Sequence, residues 1–122
     1  MIGYVTLGTN DLERGVKFYD AIAQVLDTPR MMEGEDFVAW GTMGGPAGIG
    51  LTKPFNGESA TSGNGTMVAL QARDTDHVKA IYETALAHGG TDEGAPGLRD
   101  GGFYAAYFRD PDGNKLNAFC MG

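Results

Sequence analysis

Near its C-terminal end the sequence carries the segment RDPDGN at residues 109–114, whose acidic and amide side chains could bind a cation or form a tight turn. An EF-hand calcium loop requires Gly at its sixth position and Glu at its twelfth. Counted from Asp110, these two positions hold Lys115 and Met121. The segment therefore does not predict a calcium loop.

The same six residues meet the requirements of a hairpin turn. Pro111 presets the first turn dihedral, Asp112 is suited to hydrogen bonds with the local backbone, and Gly113 takes the left-handed position without steric cost. Asn117 is a candidate functional residue, because it is polar and lies in the middle of the apolar segment KLNAFCM at residues 115–121.

Other residues that commonly bind metals or act as nucleophiles are few. The two histidines, His77 and His88, lie on a predicted helix and are eleven residues apart. This spacing separates them by about three helical turns, so they cannot share one ion. We expect both to be surface residues and not metal ligands. The single cysteine, Cys120, has no histidine nearby to activate its thiol.

The composition is that of one small acidic domain. The chain has 122 residues, with nine basic and sixteen acidic side chains and a net charge of -7. Nucleic acids and anionic membranes are bound through clustered Lys and Arg, so we expect neither as a partner. No apolar stretch is long enough for a membrane span, no signal peptide is recognisable, and one cysteine excludes an internal disulfide. These features predict a soluble protein in the cytoplasm.

The first half of the sequence predicts a strand, a helix and three further strands. Alternating side chains predict the first strand over about residues 3–9. Asn10 or Asp11 caps the helix, and Pro29 ends it. Three strand-like segments follow within residues 30–53, and a loop rich in Pro, Asn, Gly and Ser covers residues 54–65. The apolar stripe of the helix is Leu12, Val16, Tyr19, Ile22 and Leu26.

The pattern then repeats. A strand over residues 65–72, a helix that begins at Asp74 or Thr75, and strands over residues 101–108 and 115–121 follow in the same order. We interpret this as a duplicated βαβββ module in a single domain, with module one at about residues 1–57 and module two at about residues 64–122. A shift of 63 residues superposes four identical pairs: Val5 on Val68, Leu7 on Leu70, Asp11 on Asp74, and Tyr19 on Tyr82.

Strand alternation divides these residues between two faces. Val5, Leu7, Val68 and Leu70, with Leu116, Ala118 and Cys120, face the apolar helices. The opposite face carries Tyr4, Thr6, Met67, Gln71, Asn117 and Phe119. The sequence therefore predicts an α+β fold of curved mixed sheets, with helices on the convex side and a concave cleft of the kind that binds small molecules.

Three segments resemble the vicinal oxygen chelate superfamily, which includes glyoxalases, bleomycin and fosfomycin resistance proteins, and extradiol dioxygenases. They are YVTLGTNDLERGVKFYDAI at residues 4–22, GTMVALQARD at residues 65–74 and YFRDPDGNKLNAF at residues 107–119. The resemblance implies paired βαβββ modules over essentially the whole chain.

Members of this superfamily that hold a metal ion take one ligand from each of four strands, usually His or Gln, Glu, His and Glu. On this chain the resemblance places these positions at Tyr4, Gly50, Met67 and Asn117, and Ile49 or Leu51 are the alternatives to Gly50. None supplies the imidazole or carboxylate that a divalent cation needs here. We therefore expect no metal site and no cofactor.

The expected ligand-binding residues are Tyr4, Thr6, Met67, Gln71, Tyr107, Asn117 and Phe119. Tyr107 is included because the resemblance places a site tyrosine of fosfomycin-resistance proteins there, although an aromatic residue that fills the sheet is an equal alternative. Tyr4 and Asn117 offer neutral donors and acceptors to a ligand, or could bond to each other in an empty cleft. Lys53 and Arg99 flank the expected cleft mouth, but solvated surface charge is their ordinary role.

Trp40 is the only tryptophan, and its strand face cannot be assigned from the pattern. Packing in the core is favoured over stacking on a ligand. With no charged group expected on the cleft face, the ligand should be of modest size and partly apolar.

Two functions remain. One is a metal-free small-molecule-binding protein of the sequestration or resistance type, for which the resemblance implies a homodimer with two equivalent clefts. The other is a glyoxalase-like lyase or isomerase with an atypical site. Such an enzyme needs a base, and Tyr4 or Tyr107 would have to act because no His, Asp or Glu is expected on the cleft face. No catalytic residue is assigned, and a metal-dependent dioxygenase is not expected.

Overall fold

The computed structural model describes residues 1–121, which form two helices, eight strands and one short 3-10 turn. In chain order the elements are β1 (Tyr4–Gly8), α1 (Leu12–Val25), β2 (Arg30–Glu33), β3 (Phe37–Trp40), β4 (Gly48–Thr52), β5 (Val68–Gln71), α2 (Thr75–Ala87), β6 (Thr91–Arg99), the turn at Asp100–Gly102, β7 (Phe103–Arg109) and β8 (Lys115–Met121). Within these residues no helix is long and apolar enough to cross a membrane.

The strands form two four-stranded mixed sheets with equivalent strand orders. The first sheet has the order β1-β4-β3-β2, and the second sheet has the order β5-β8-β7-β6. In each sheet the first pair is parallel and the other pairs are antiparallel. The predicted α+β fold of two mixed sheets is confirmed.

The repeat extends to the helix caps. The side chain of Asp11 accepts a hydrogen bond from the amide of Arg14, and that of Asp74 accepts one from the amide of His77. Each satisfies one of the amides left without a partner in a first helical turn. Asn10 is not the cap. The side-chain oxygen of Asn10 accepts a hydrogen bond from the backbone amide of Ala60 (2.7 Å), and its side-chain nitrogen donates one to the carbonyl of Ala60 (3.1 Å). These two bonds hold the loop that connects the two sheets.

The two helices contact each other, and each covers one face of its own sheet. Phe18 of α1 is fully buried and packs on Phe108 of β7, so one core joins both halves of the chain. Because α1 has both a sheet and a second helix to contact, its buried face is broader than the predicted stripe. Leu12, Val16 and Leu26 of that stripe lie at the edge of the core and are only partly buried.

His77 corrects an expectation, because it is buried and does not lie on the surface. Its Nδ1 accepts a hydrogen bond from the amide of Arg73 (3.0 Å), and its Nε2 lies 2.9 Å from the carbonyl oxygen of Val25 at the end of α1. A neutral imidazole with the proton on Nε2 makes both bonds. His77 therefore connects the two helices, whereas His88 is exposed as expected.

The RDPDGN segment forms the predicted turn between β7 and β8. The amide of Gly113 donates to the carbonyl of Asp110 (3.0 Å), and Gly113 has a φ of 91°. Asp110, not Asp112, makes the local bonds, since one of its carboxylate oxygens accepts from the amides of Asp112 and Asn114, both at 2.9 Å. The predicted turn is confirmed, and the predicted local role of Asp112 is wrong.

The Asp112 carboxylate reaches the other half of the chain. It accepts hydrogen bonds from the hydroxyl of Thr9 (2.6 Å), the amide of Asn10 (2.9 Å) and the guanidinium of Arg14 (2.7 Å). Its side chain is only 3% exposed. The acidic turn therefore fastens the second sheet to the start of α1.

Asp110 makes a second connection between the halves. It is buried and accepts a hydrogen bond of 2.6 Å from the hydroxyl of Tyr19 on α1. Burial raises the pKa of the Tyr19 hydroxyl well above its usual range, and the charge and hydrogen bond of Asp110 raise it further. Tyr19 therefore remains a neutral donor to this carboxylate.

Candidate functional site

Each sheet has one face without a helix, which we call its open face. On the first sheet, Tyr4 and Thr6 of β1 lie opposite Gly48 and Gly50 of β4. These four residues line a cavity of about 740 Å³, which is within the size range of small-molecule sites. The cavity walls are largely apolar and include Met31, Met32, Phe37 and Met43.

The open face of the second sheet carries most of the other predicted ligand-binding residues. Asn117 of β8 lies opposite Tyr107 of β7, and Phe119 lies opposite Gln71 of β5. Phe119 also stacks on Phe103, with ring centroids 5.3 Å apart. Strand alternation thus predicted the shared face of Gln71, Asn117 and Phe119, whereas Tyr107 was expected there from the resemblance alone.

The predicted residues are divided between two faces. Tyr4 and Thr6 lie on the first sheet, and Gln71, Tyr107, Asn117 and Phe119 lie on the second. Met67 precedes β5, is 41% exposed, and lines a separate groove with Ile2 and Ile49. Within residues 1–121, Tyr4 does not share a described cavity with Asn117, and neither makes a hydrogen bond to the other.

Asn117 has an unusual environment for an amide. It is 1% exposed, and within residues 1–121 neither its Oδ1 nor its Nδ2 has a hydrogen-bond partner. Burial of an amide without hydrogen bonds costs about 1–3 kcal/mol. Other buried polar groups on this hairpin are satisfied, as in Asn114, whose Nδ2 donates to the carbonyl of Gly8 and to Asp110.

Two cations flank the ring of Tyr107 on the open face of the second sheet. The guanidinium carbon of Arg99 and the Nζ of Lys115 each lie 5.5 Å from the ring centroid, within the range of cation–π attraction. Lys115 was missed in the sequence, although strand alternation places it two residues before Asn117 on the same face. The prediction of a cleft face without charge is therefore wrong.

The first sheet also has charged groups near its open face. Asp36 and Lys53 line a second, adjacent cavity of about 900 Å³, which shares Thr6 and Thr52 with the 740 Å³ cavity, and their charged atoms are 4.0 Å apart. Asp36 therefore lies beside the cleft face, and the residues that line the 740 Å³ cavity within residues 1–121 include no acidic side chain. Trp40 is 4% exposed, packs against Tyr19 and donates from its indole nitrogen to Asp20 (2.8 Å), so it belongs to the core.

The Asp20 carboxylate lies outside the open faces. Its hydrogen bond from Arg30 holds the pKa of Asp20 below its usual range, against the opposing effect of burial, and the bond from Trp40 adds to the lowering. Asp20 therefore acts as an ionised structural acceptor for β2 and β3.

The residues at the four metal-ligand positions do not fit a divalent cation. Tyr4 is 62% exposed, Gly50 has no side chain, Met67 offers a thioether, and Asn117 offers an amide. Divalent cations in such sites are bound by imidazole and carboxylate groups. Within residues 1–121, no three His, Cys, Asp or Glu side chains are grouped so that they could hold a metal ion.

The family is established by comparison with known proteins. The family model of the Glyoxalase/Bleomycin resistance protein/Dioxygenase superfamily matches residues 1–118. The chain belongs to this superfamily. A comparison with curated proteins found no match.

Solved structures agree with this assignment. A glyoxalase/bleomycin resistance protein from Albidiferax ferrireducens T118 is 38% identical, with a TM-score of 0.89 over 98% of this chain and 97% of that one. A glyoxalase/bleomycin resistance protein/dioxygenase family enzyme from Burkholderia phytofirmans PsJN is 22% identical, with a TM-score of 0.80 over 98% of each chain. The second similarity supports the fold alone.

Proposed function

We propose that this protein binds a small molecule without the help of a metal ion, in clefts formed between two copies of the chain. The observation that supports this most directly is the buried Asn117 amide, which has no hydrogen-bond partner within residues 1–121. The position corresponds to a metal-binding carboxylate in the superfamily. An amide there can donate to and accept from a ligand without charge.

The open face of the first sheet supplies space for the apolar part of such a ligand. Gly48 and Gly50 keep the floor of the 740 Å³ cavity free of side chains. Three of its wall residues are exposed, namely Tyr4 at 62%, Met32 at 56% and Met43 at 82%. Thioether and aromatic side chains adapt well to irregular apolar ligands.

A homodimer would explain why the binding residues are divided between two faces. Within one chain the two helices pack against each other and against one face of each sheet, and these contacts form the shared core. The open face of each sheet is not part of this core. A second copy that places its second sheet over the first sheet would bring Asn117 and Tyr107 close to Tyr4 and Thr6. The same arrangement would cover the exposed apolar residues of the first sheet.

We therefore expect light scattering at micromolar concentration to give twice the mass of one chain. Native mass spectrometry of the ligand-saturated protein should then show two ligands per dimer. A monomeric mass that persists in the presence of ligand would contradict the shared cleft.

Replacement of Gly50 with Leu is expected to weaken ligand binding about tenfold or more, which corresponds to at least about 1.4 kcal/mol. A Cβ atom at Gly50 would lie 3.4 Å from the nearest atom, Cγ2 of Thr6, so the backbone tolerates the change while the side chain fills the cavity floor. Hits from a library of neutral and anionic aromatic compounds serve as ligands, and isothermal calorimetry gives their affinities.

Ala80→Leu is the matched control, because it adds the same side chain at an exposed position of α2. Its affinities should equal those of the unaltered protein, and EDTA should change none of them. Equal weakening by both variants would contradict the location of the cavity. Stoichiometric metal whose removal abolishes binding, or turnover of methylglyoxal–glutathione hemithioacetal, would replace the proposal with a lyase or isomerase.

A further inference from the structure

Most cations of this protein are neutralised within the chain. It has nine Lys and Arg residues, and six of them pair with carboxylates within residues 1–121. The three that have no carboxylate partner in the described part of the chain are Lys79, Arg99 and Lys115. Lys79 is exposed on α2, whereas the other two are partly buried and flank the same ring, that of Tyr107. In a chain with a net charge of -7, this convergence of positive charge requires a reason.

The backbone makes room for Arg99 on this face. Its guanidinium nitrogens lie 3.4 Å and 3.0 Å from where a Cβ atom would stand at Gly94 and Gly97. Nη2 donates to the carbonyl of Ala95 at 2.8 Å, which fixes the plane of the guanidinium group. A guanidinium has five N–H donors, so most of them remain available.

Asn117 adds a buried neutral group to the same face of the sheet. It lies opposite Tyr107 in the pairing of β7 with β8, two residues from Lys115 on one side and two from Phe119 on the other. Phe119 and Phe103 form a stacked apolar surface beyond it. The order along the face is thus cationic, then amide, then aromatic.

We propose that the open face of the second sheet binds the carboxylate of an aromatic acid through the charged groups of Arg99 and Lys115 beside Tyr107. The ring of the acid lies against Phe103 and Phe119, and Asn117 forms hydrogen bonds with the ligand between these two ends. Charge-assisted hydrogen bonds from Arg and Lys are about twice as strong as neutral ones. This inference rests on the proposed binding function and defines the class of ligand.

Benzoate, benzamide and inorganic phosphate are suitable probes for isothermal calorimetry on the full-length protein. Benzamide has the shape of benzoate without the charge, and phosphate has the charge without the ring. We expect benzoate to bind about tenfold or more tightly than either of the others, a difference of at least about 1.4 kcal/mol. Equal affinity for benzoate and benzamide would overturn the inference, and phosphate binding as tightly as benzoate would indicate a simple anion site instead.

Lys115→Met and Arg99→Met should each weaken benzoate binding about tenfold and leave benzamide unchanged. Lys79→Met is the control. Lys79 is the third cation that has no carboxylate partner in the described part of the chain, and it lies outside the proposed site, so this variant should bind benzoate normally. If it weakens binding equally, net charge is responsible and the inference is wrong.

The test separates this inference from the function on which it rests. Neutral ligands that bind and respond to Gly50→Leu, together with no selectivity for benzoate, would preserve the proposed function and reject the carboxylate site. Absence of binding by every compound in both experiments would reject both.

Discussion

Replacement of Asn117 with Leu is expected to raise the free energy of unfolding by about 1–2 kcal/mol, although most substitutions in a protein interior lower it. The buried amide makes no hydrogen bond within residues 1–121. Its replacement therefore removes the free-energy cost of burying an unpaired amide and breaks no hydrogen bond. Leu has the same branched skeleton and contributes apolar burial. Urea denaturation of both proteins, monitored by circular dichroism, measures the difference.

Asn114→Leu is the matched control, since Asn114 is a buried asparagine on the same hairpin and is 5% exposed. Its Nδ2 donates to the carbonyl of Gly8 (2.9 Å) and to Asp110 (2.8 Å). Loss of these bonds should lower the free energy of unfolding by about 2–4 kcal/mol. Two identical substitutions three residues apart are therefore expected to have opposite effects.

The opposite signs distinguish a ligand-binding amide from a structural one. If Asn117→Leu also abolishes ligand binding, the unaltered protein sacrifices stability for a polar group that only the ligand satisfies. A loss of stability of about 1 kcal/mol or more in the ligand-free Asn117→Leu protein would instead mean that the amide is already hydrogen-bonded in solution, for example across the proposed dimer interface.

The sequence predicted the elements whose patterns are local. Alternation placed Asn117, Phe119 and Tyr4 on open faces, and the 63-residue repeat agrees with two caps that bond equivalent amides. These features depend on neighbours along the chain and on strand parity, which a sequence displays directly.

Features that depend on distant contacts were missed. The segment TDEGAPGLR has no alternation, yet it forms β6 because a partner strand, β7, is present, and the pairing shifts at Asp92–Gly94 and at Gly94–Gly97. Such irregular pairing is common at sheet edges, where Gly and Pro are tolerated. The convergence of Arg99 on Tyr107 depends on this strand, and so a charged face was predicted to be neutral.

The buried role of His77 was missed for a similar reason. The pattern of a helix does not show that a histidine in it is buried. One of the two hydrogen bonds that make the burial of His77 favourable is to the carbonyl of Val25, which is 52 residues away in sequence. Asp112 likewise has its partners about a hundred residues earlier in the chain. The turn could be predicted from the sequence, but the hydrogen bonds by which it connects the two halves of the chain could not.

Asp110→Ala is expected to lower the free energy of unfolding by about 3–5 kcal/mol, a large part of the roughly 5–15 kcal/mol of an ordinary domain. The buried carboxylate accepts hydrogen bonds from the hydroxyl of Tyr19, from the amides of Asp112 and Asn114, and from the side chain of Asn114. Alanine would leave these donors without an acceptor in a site that is 3% exposed. Asp100→Ala, at an exposed position, should stay within about 0.5 kcal/mol of the unaltered protein.

Should Asp110→Ala fail to fold, Tyr19→Phe tests the same network with a smaller loss, since it removes one donor and leaves three. We expect it to cost about 1–2 kcal/mol. It should also reduce the fall in stability above about pH 10, the usual pKa of tyrosine. In the unfolded chain Tyr19 loses its proton there, whereas the folded chain retains it because its pKa is raised, so folding becomes less favourable as the pH rises. A Tyr19→Phe protein as stable as the unaltered one at pH 7, with the same alkaline profile, would show that Asp110 does not join the two halves through α1.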